Sequence, residues 1–473
     1  MKKILFFALL IIFLSSFAEK GVYAFQNGEG VQTENQLSEN ASLTSVPPVF
    51  MVGPFVLLLA MIATGPLFYA RFWGKHYYKV AIALGLIVVF YYWFVMKDTG
   101  HLVHTLGEYI SFIMLLGSLF VASGGILIRV DRKATPLVNA AMLLVGAVLA
   151  NVFGTTGASM LLIRPFMNLN KKRLKPYHII FFIFVVSNVG GVLTPIGDPP
   201  LFLGFLLGVP FFWFFAHSWF IWLIAVAIIL AVFFFVDRNN KEGESDDAEY
   251  SGKIEFKGFK NLVYLAIILV SVLLDPNVMS WVPSLSPLPF GIREILMAVI
   301  MVVAYKTADS KILEYNEFTF DPIKEVAFLF IGIFATMIPA LQLVAYQAGV
   351  MKDSLTTGIF YWASGGLSSI LDNAPTFVTF LSGAMGRTGL DMNSKIQVQQ
   401  FVASSPVYLQ SISVACVFFG ANTYIGNGPN FMVKSIAESS GLKMPSFFGY
   451  IVKYSLPVLI PVFFFIWFVF FRG

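Results

Sequence analysis

The sequence predicts an all-α polytopic membrane protein built from two inverted structural repeats, each with a re-entrant helical hairpin and a broken transmembrane helix. Three observations predict it. The first is composition: 58% of residues are hydrophobic and only 12% charged, against roughly 25% charged in soluble domains. Several runs reach the ~20 apolar residues that cross hydrocarbon. The second is a signature that occurs twice, TPIGDPP at Thr194 to Pro200 and TYIGNGP at Thr423 to Pro429, each time interrupting an apolar run. Gly and Pro break helices, and broken backbone is tolerated at membrane depth only where it lines an enclosed cavity. A matched pair of such interruptions points to a transporter binding site. The third is an apolar stretch, 136–163, of 28 residues. That is too long for one upright helix and too short for two, which need about 40. Basic residues flank both ends, Arg129, Arg132 and Lys133 before it and Arg164, Lys171, Lys172, Arg173 and Lys175 after it. Both ends therefore belong on the cytoplasmic side, and NVFGTTGAS, Asn151 to Ser159, supplies the turn.

Several classes are excluded or disfavoured. The apolar runs do not alternate, as barrel strands would. The net charge of +5 sits in short loops and calls for no nucleic acid. A single Cys416 excludes an internal disulfide and a Cys-rich metal site. The chain has no G-x-x-x-x-G-K-[ST], H-E-x-x-H or G-x-S-x-G, which argues against ATP drive and against an enzyme.

Taken in order, residues 1–24 read as a signal peptide or an uncleaved N-terminal helix, and 25–48 as a flexible polar segment. The first half, 49–236, carries spans near 50–70, 78–96 and 108–128, the hairpin 136–163, the broken helix 178–215 and a span near 219–236. The charged stretch 237–260 is the expected cytoplasmic linker. The second half, 261–473, carries spans near 261–275 and 290–305, a mixed-charge loop 306–324, a helix from Glu325, the hairpin 358–384, the broken helix 400–440 and a closing span 447–471. EYISFIMLLGSLF from Glu108 matches EVAFLFIGIFATM from Glu325. Counting crossings starts Glu108's helix outside and Glu325's inside, so the repeats are inverted. The second hairpin has weaker basic flanks, Lys352, Arg387 and Lys395, as an external position predicts.

Hairpin tips and helix breaks should converge at the midplane. The first half offers Asn151, Thr155, Thr156, Ser159, Ser187, Asn188, Thr194, Gly197 and Asp198. The second offers Ser368, Ser369, Asp372, Asn373, Thr376, Asn422, Thr423, Gly426 and Asn427. Hydroxyls, amides and freed carbonyls suit a small hard cation, and half-helix N-termini suit a carboxylate. Sodium is expected at Asn151, Asp198, Asn373 and Asn427. Asp198 and Asp372 are the sharpest candidates, because a carboxylate at membrane depth is expensive and such a group can exchange a proton for sodium. The bland alternative is that each caps a helix. Glu108 and Glu325 are expected to begin helices and complement their dipoles. His101, His104 and Glu108, at i, i+3 and i+7, form a weak candidate metal face. Lys434 meets an anion or snorkels to the interface, and Arg164 sets orientation.

At these residues the chain resembles the ion transporter superfamily, and within it the bacterial citrate-transporter branch commonly labelled sodium:proton antiporters. The resemblance covers roughly residues 50–470. It rests on SNVGGVLTPIGDPPLFLGFLLGVPFFW from Ser187 and GANTYIGNGPNFMVKSIAESSGLKMPSFFGY from Gly420. LDNAPT, Leu371 to Thr376, is similar to the hairpin tip of the D-type sodium/proton antiporter and arsenite branches. The resemblance implies a scaffold part and a mobile part, two opposed hairpins with cation sites at their tips, and often a homodimer. It implies hairpin-tip ligands at Asn151 and Asn373. The Ser-Asn-Thr tips of dicarboxylate symporters are not reproduced.

Together these readings predict a cation-coupled secondary transporter of the bacterial inner membrane, a sodium/proton antiporter working by alternating access. The alternative is sodium- or proton-coupled transport of citrate or another carboxylate. No cofactor is expected beyond the transported sodium ions and protons.

Overall fold

The computed structural model describes residues 47–472 except 241–251, 276–278, 280, 284, 286, 287, 352 and 353. The expected leader 1–24, most of the segment 25–48, the centre of the linker 237–260 and Lys352 lie outside the described residues. The protein is a multi-pass helical membrane protein. Seven helices among the described residues are long and apolar enough to cross a bilayer.

Helix Ala70–Phe90, extended to Met96, runs parallel to helix Asp321–Val350. Tyr78 lies tilted beside Phe328 with ring centres 5.8 Å apart, Gly85 meets Gly332, and the Tyr92 hydroxyl donates to Gln342 at 2.6 Å. Helix Thr99–Gly124 runs antiparallel to Asp321–Val350. Its rings pair in descending order, Tyr109 with Phe334, Phe112 with Phe330, then Phe120 with Phe318. Both helices begin earlier than the sequence predicts. Glu108 lies in the third turn of its helix and Glu325 in the second, so neither starts a helix, because capping signals lie upstream: Asp98 accepts from the His101 amide, and Pro322 sits in the first turn.

Helix Pro136–Leu169 doubles back at Gly154, whose φ of 74° and ψ of 157° interrupt it. That φ favours glycine. The ends prove the reversal. Asn139 and Asn170 exchange amide hydrogen bonds of 2.8 Å in both directions, although a straight helix would separate them by roughly 46 Å at 1.5 Å per residue. Thr357–Ser368 and Asn373–Arg387 form the corresponding pair, with Phe360 beside Phe380 at 6.3 Å.

The centre of the molecule is helix Pro176–Val185 and the 3-10 turn that follows it, with every residue from His178 to Leu193 buried. After the break comes helix Pro199–Leu207, then Trp213–Arg238. In the second half the predicted segment 400–440 is divided. A separate helix, Lys395–Ser404, meets Pro406–Asn422 at 97°, because Ser405 precedes Pro406 and the residue before proline avoids helical angles. The break ends at helix Gly428–Ser439, and the chain closes through Phe447–Phe471. Each helix after a break crosses to the opposite hairpin: Pro199–Leu207 packs on Asn373–Arg387, and Gly428–Ser439 packs on Pro136–Leu169.

A two-stranded ribbon departs from the expected all-α pattern. Leu127–Val130 pairs antiparallel with Ile254–Lys257, so one described edge of the linker is fastened to the loop before the first hairpin. The predicted loop 306–324 contains a short helix, Ser310–Tyr315.

Candidate functional site

The two copies of the signature fold alike. Thr194 and Thr423 are extended, with φ/ψ of −136°/155° and −142°/166°. Asp198 and Asn427 follow at −145°/145° and −149°/144°. Each threonine hydroxyl donates across to a hairpin-tip carbonyl at 2.6 Å, Thr194 to Asn151 and Thr423 to Ser369. Each also accepts from the glycine amide three residues on, Gly197 at 3.1 Å and Gly426 at 3.0 Å. The glycines are required by close approach. A Cβ on Gly197 would collide with the Gly191 carbonyl, and one on Gly426 would lie 2.6 Å from the Gly420 carbonyl.

These bonds fix which tip residues correspond. Asn151 and Ser369 receive the threonines, so Thr155 and Asn373, four residues on from each, are the matched pair. Asn151 and Asn373, the two residues expected as hairpin-tip ligands, therefore do not occupy equivalent positions in the two tips. Asn151 is a brace. Its amide donates to the carbonyls of Ala147 and Gly190, and its oxygen accepts from the Leu193 amide at 2.9 Å.

Thr155 and Asn373 converge on Asp198. The Thr155 hydroxyl donates to Oδ1 at 2.7 Å, the Asn373 amide to Oδ2 at 2.8 Å, and the Asn427 amide to Oδ1 at 3.0 Å. Asp198 is 1% exposed. It stands at the N-cap position of Pro199–Leu207, yet its side chain makes no capping bond. The carboxylate has turned from its own helix toward donors on both hairpins and on the opposite break. All three donors are neutral, and no Lys, Arg or His among the described residues makes a salt bridge to it.

Asn373 is held in turn. Its oxygen and the Cys416 carbonyl each lie 2.6 Å from the Ser368 hydroxyl, whose single proton they share. Ser159 and Ser187 share a hydrogen bond of 2.7 Å, and the Asn427 amide also reaches the Ser187 carbonyl. The Asn188 amide donates to Asn430 Oδ1 at 2.7 Å, and Asn430 donates to the Gly420 and Thr423 carbonyls. Asn430 was not anticipated from the sequence, although it lies three residues past Asn427. Two oxygens are left over: Asn188 Oδ1 and Asn422 Oδ1 are buried without a hydrogen-bond donor. Both suit a cation better than an anion.

The remaining candidates make no hydrogen bond to Asp198 among the described residues. Asp372 is half-buried and caps helix Asn373–Arg387, accepting from the Ala374 amide at 3.1 Å. Thr376 is buried and donates to the Asp372 carbonyl. Thr156 is half-buried. His101 pairs with Asp98 and His104 lies 3.8 Å from Glu108, and among the described residues no three His, Cys, Asp or Glu are grouped to hold a metal. Lys434 has an anionic partner on its own helix. It pairs with Glu438 at 2.8 Å over the Tyr424 ring. Arg164 pairs with Glu317.

A cavity of about 270 Å³ adjoins the first break, between Asn151, Thr194 and Ile196 on one wall and Leu269, Val270 and Leu273 on the other. Its lining is apolar apart from the first two.

Residues 44–471 match the family described as putative citrate transport. No curated protein matches the chain.

Proposed function

The chain belongs to this citrate-transport family, and we propose that it is a cation-coupled secondary transporter whose exchange group is Asp198, with sodium/proton antiport as its activity. One observation carries this. A buried carboxylate at the meeting point of both breaks is solvated by three neutral donors and has no salt-bridge partner among the described residues. Burial without compensation is costly, so either a proton or a small cation completes the site. The donor-free oxygens of Asn188 and Asn422 add hard ligands of the kind sodium takes. Competition of the two ions for one carboxylate is exchange. In this reading the two halves are inverted repeats, the hairpins are re-entrant, and the site is exposed to each side in turn across a bacterial inner membrane.

Thr155, Asn373 and Asn427 are the donors that would otherwise read a substrate carboxylate. Asp198 already occupies them, and the adjoining cavity has no basic lining. Both facts favour a cation as cargo. The family's description favours the second reading, uptake of citrate or a related carboxylate coupled to sodium or protons. Everted vesicles separate the two. Antiport predicts that added sodium collapses a preformed pH gradient and that Asp198→Asn abolishes the response. An intact gradient, together with sodium- or proton-driven accumulation of labelled citrate in proteoliposomes, would establish carboxylate transport instead.

A further inference from the structure

Glu325 is one of two acidic residues, with Glu108, that the repeat singles out and the candidate site does not use. It opens onto a pocket of about 510 Å³, lined by Tyr77, Tyr78, Asp321, Lys324, Glu325 and Phe328. Two parallel helices, Ala70–Phe90 and Asp321–Val350, form its walls within their first three turns. We infer that this pocket holds the headgroup of an ethanolamine phospholipid of the leaflet that faces it. The inference is independent of the transported ion.

Three features define the ligand. Two tyrosines and a phenylalanine surround carboxylates, the combination that attracts an ammonium group. Lys324, 3.9 Å from Asp321 at the rim, and Lys79, 5.8 Å from the centre of the Tyr78 ring, supply positive charge for a phosphate. The pocket thus matches a zwitterion, and its two carboxylates disfavour an anionic headgroup. A primary ammonium has three N–H donors for those carboxylates, whereas a quaternary ammonium has none.

The third feature separates a lipid from a soluble amine. Deeper along the same helices, Ile82, Leu86 and Ile331 are 37%, 46% and 38% exposed, and Phe328 on the pocket wall is 43% exposed. Acyl chains would lie on that surface, continuous with the headgroup. The helix ends also carry Arg71, Lys75 and Lys79, so the positive-inside bias puts the pocket at the cytoplasmic leaflet, and tyrosines are at home at headgroup depth.

Native mass spectrometry of the full-length protein in detergent tests this. Phosphatidylethanolamine and phosphatidylglycerol are added in equal amounts, with free phosphoethanolamine as a competitor. We expect about tenfold preferential retention of one phosphatidylethanolamine, reduced about tenfold in Glu325→Gln and also reduced in Tyr77→Leu, with no displacement by free phosphoethanolamine. Thermal melting in lipid-free detergent verifies that each variant is folded. Should Glu325→Gln fail that test, Tyr77→Leu decides alone. Equal retention of the two lipids by the wild type, or unchanged retention in the folded variants, overturns the proposal. Displacement by millimolar phosphoethanolamine assigns the pocket to a soluble amine and overturns the lipid as well.

Discussion

At the first break an aspartate, and at the second an asparagine, take backbone angles that agree within 4° in φ and 1° in ψ. The threonine hydrogen bonds repeat as well, 2.6 Å to each tip carbonyl and 3.1 and 3.0 Å from the glycine amides. The cradle is therefore made twice and the charge once. Asn427 does not stand idle: it donates to Asp198, so the neutral copy solvates the acidic one. The hairpins differ too. The base of the first is tied by a buried ionic cluster. Asp237 accepts from Arg173 at 2.9 Å, Tyr177 at 2.6 Å and Asn139 at 2.9 Å, with His178 Nε2 at 3.0 Å. The Lys175 amide donates to His178 Nδ1, so the neutral ring carries its proton on Nε2, facing the carboxylate. At the base of the second hairpin, Arg387 lies over Tyr408, whose hydroxyl reaches the Leu355 carbonyl at 3.1 Å. One hairpin is anchored by buried charge and the other by a ring contact nearer the surface.

The comparison breaks most sharply at the charge. Asp198→Asn should lower sodium-dependent gradient collapse in everted vesicles by about 10³-fold, equal to ~4 kcal/mol of barrier, while Asn427→Asp leaves measurable exchange. If Asn427→Asp and Asp198→Asn are equally inactive, the breaks are not divided into a charged and a solvating copy. A shortened side chain sharpens this. Asp198→Gly leaves three donors around a space of carboxylate size, and formate at millimolar concentration should restore part of the lost activity.

The hairpin bases come next. Asp237→Ala strands the buried Arg173 (5% exposed) and should cost about 3–5 kcal/mol, seen as a fall in melting temperature of the purified protein. Arg387→Ala should cost about 1 kcal/mol. Equal losses would remove the asymmetry.

Glycine substitutions probe the shared cradle. Gly197→Ala and Gly426→Ala should each destabilise by about 1–3 kcal/mol, with Gly197 worse, because its Cβ meets the opposing carbonyl more closely. The smallest effect belongs to Asp372→Asn. Asparagine caps a helix about as well as aspartate, so exchange should change by no more than about twofold, ~0.5 kcal/mol. Loss of exchange in this variant would show that the charge is shared between the two halves.

Much was determined by the sequence alone. Apolar length marked the seven described helices long enough to cross a bilayer, and with the basic flanks it marked the fold-back of 136–163, because hydrophobic runs and Gly/Pro breaks act locally along the chain. The expected spans near 50–70, 261–275 and 290–305 are shorter helices. The signature located both breaks and paired Asp198 with Asn427. Helix starts at Thr99 and Asp321 were missed, because polar and charged first turns extend helices beyond their apolar windows. Tertiary structure alone decided the site's wiring. Nothing in LDNAPT or NVFGTTGAS says that Asn373 matches Thr155 rather than Asn151, or that Asp372 caps while Asp198, at an N-cap position itself, does not. Asp198's partners Asn373 and Asn427 lie 175 and 229 residues away, and a hydrogen bond across such separations is set by how packed helices bring two ends together, which no local pattern of residues encodes.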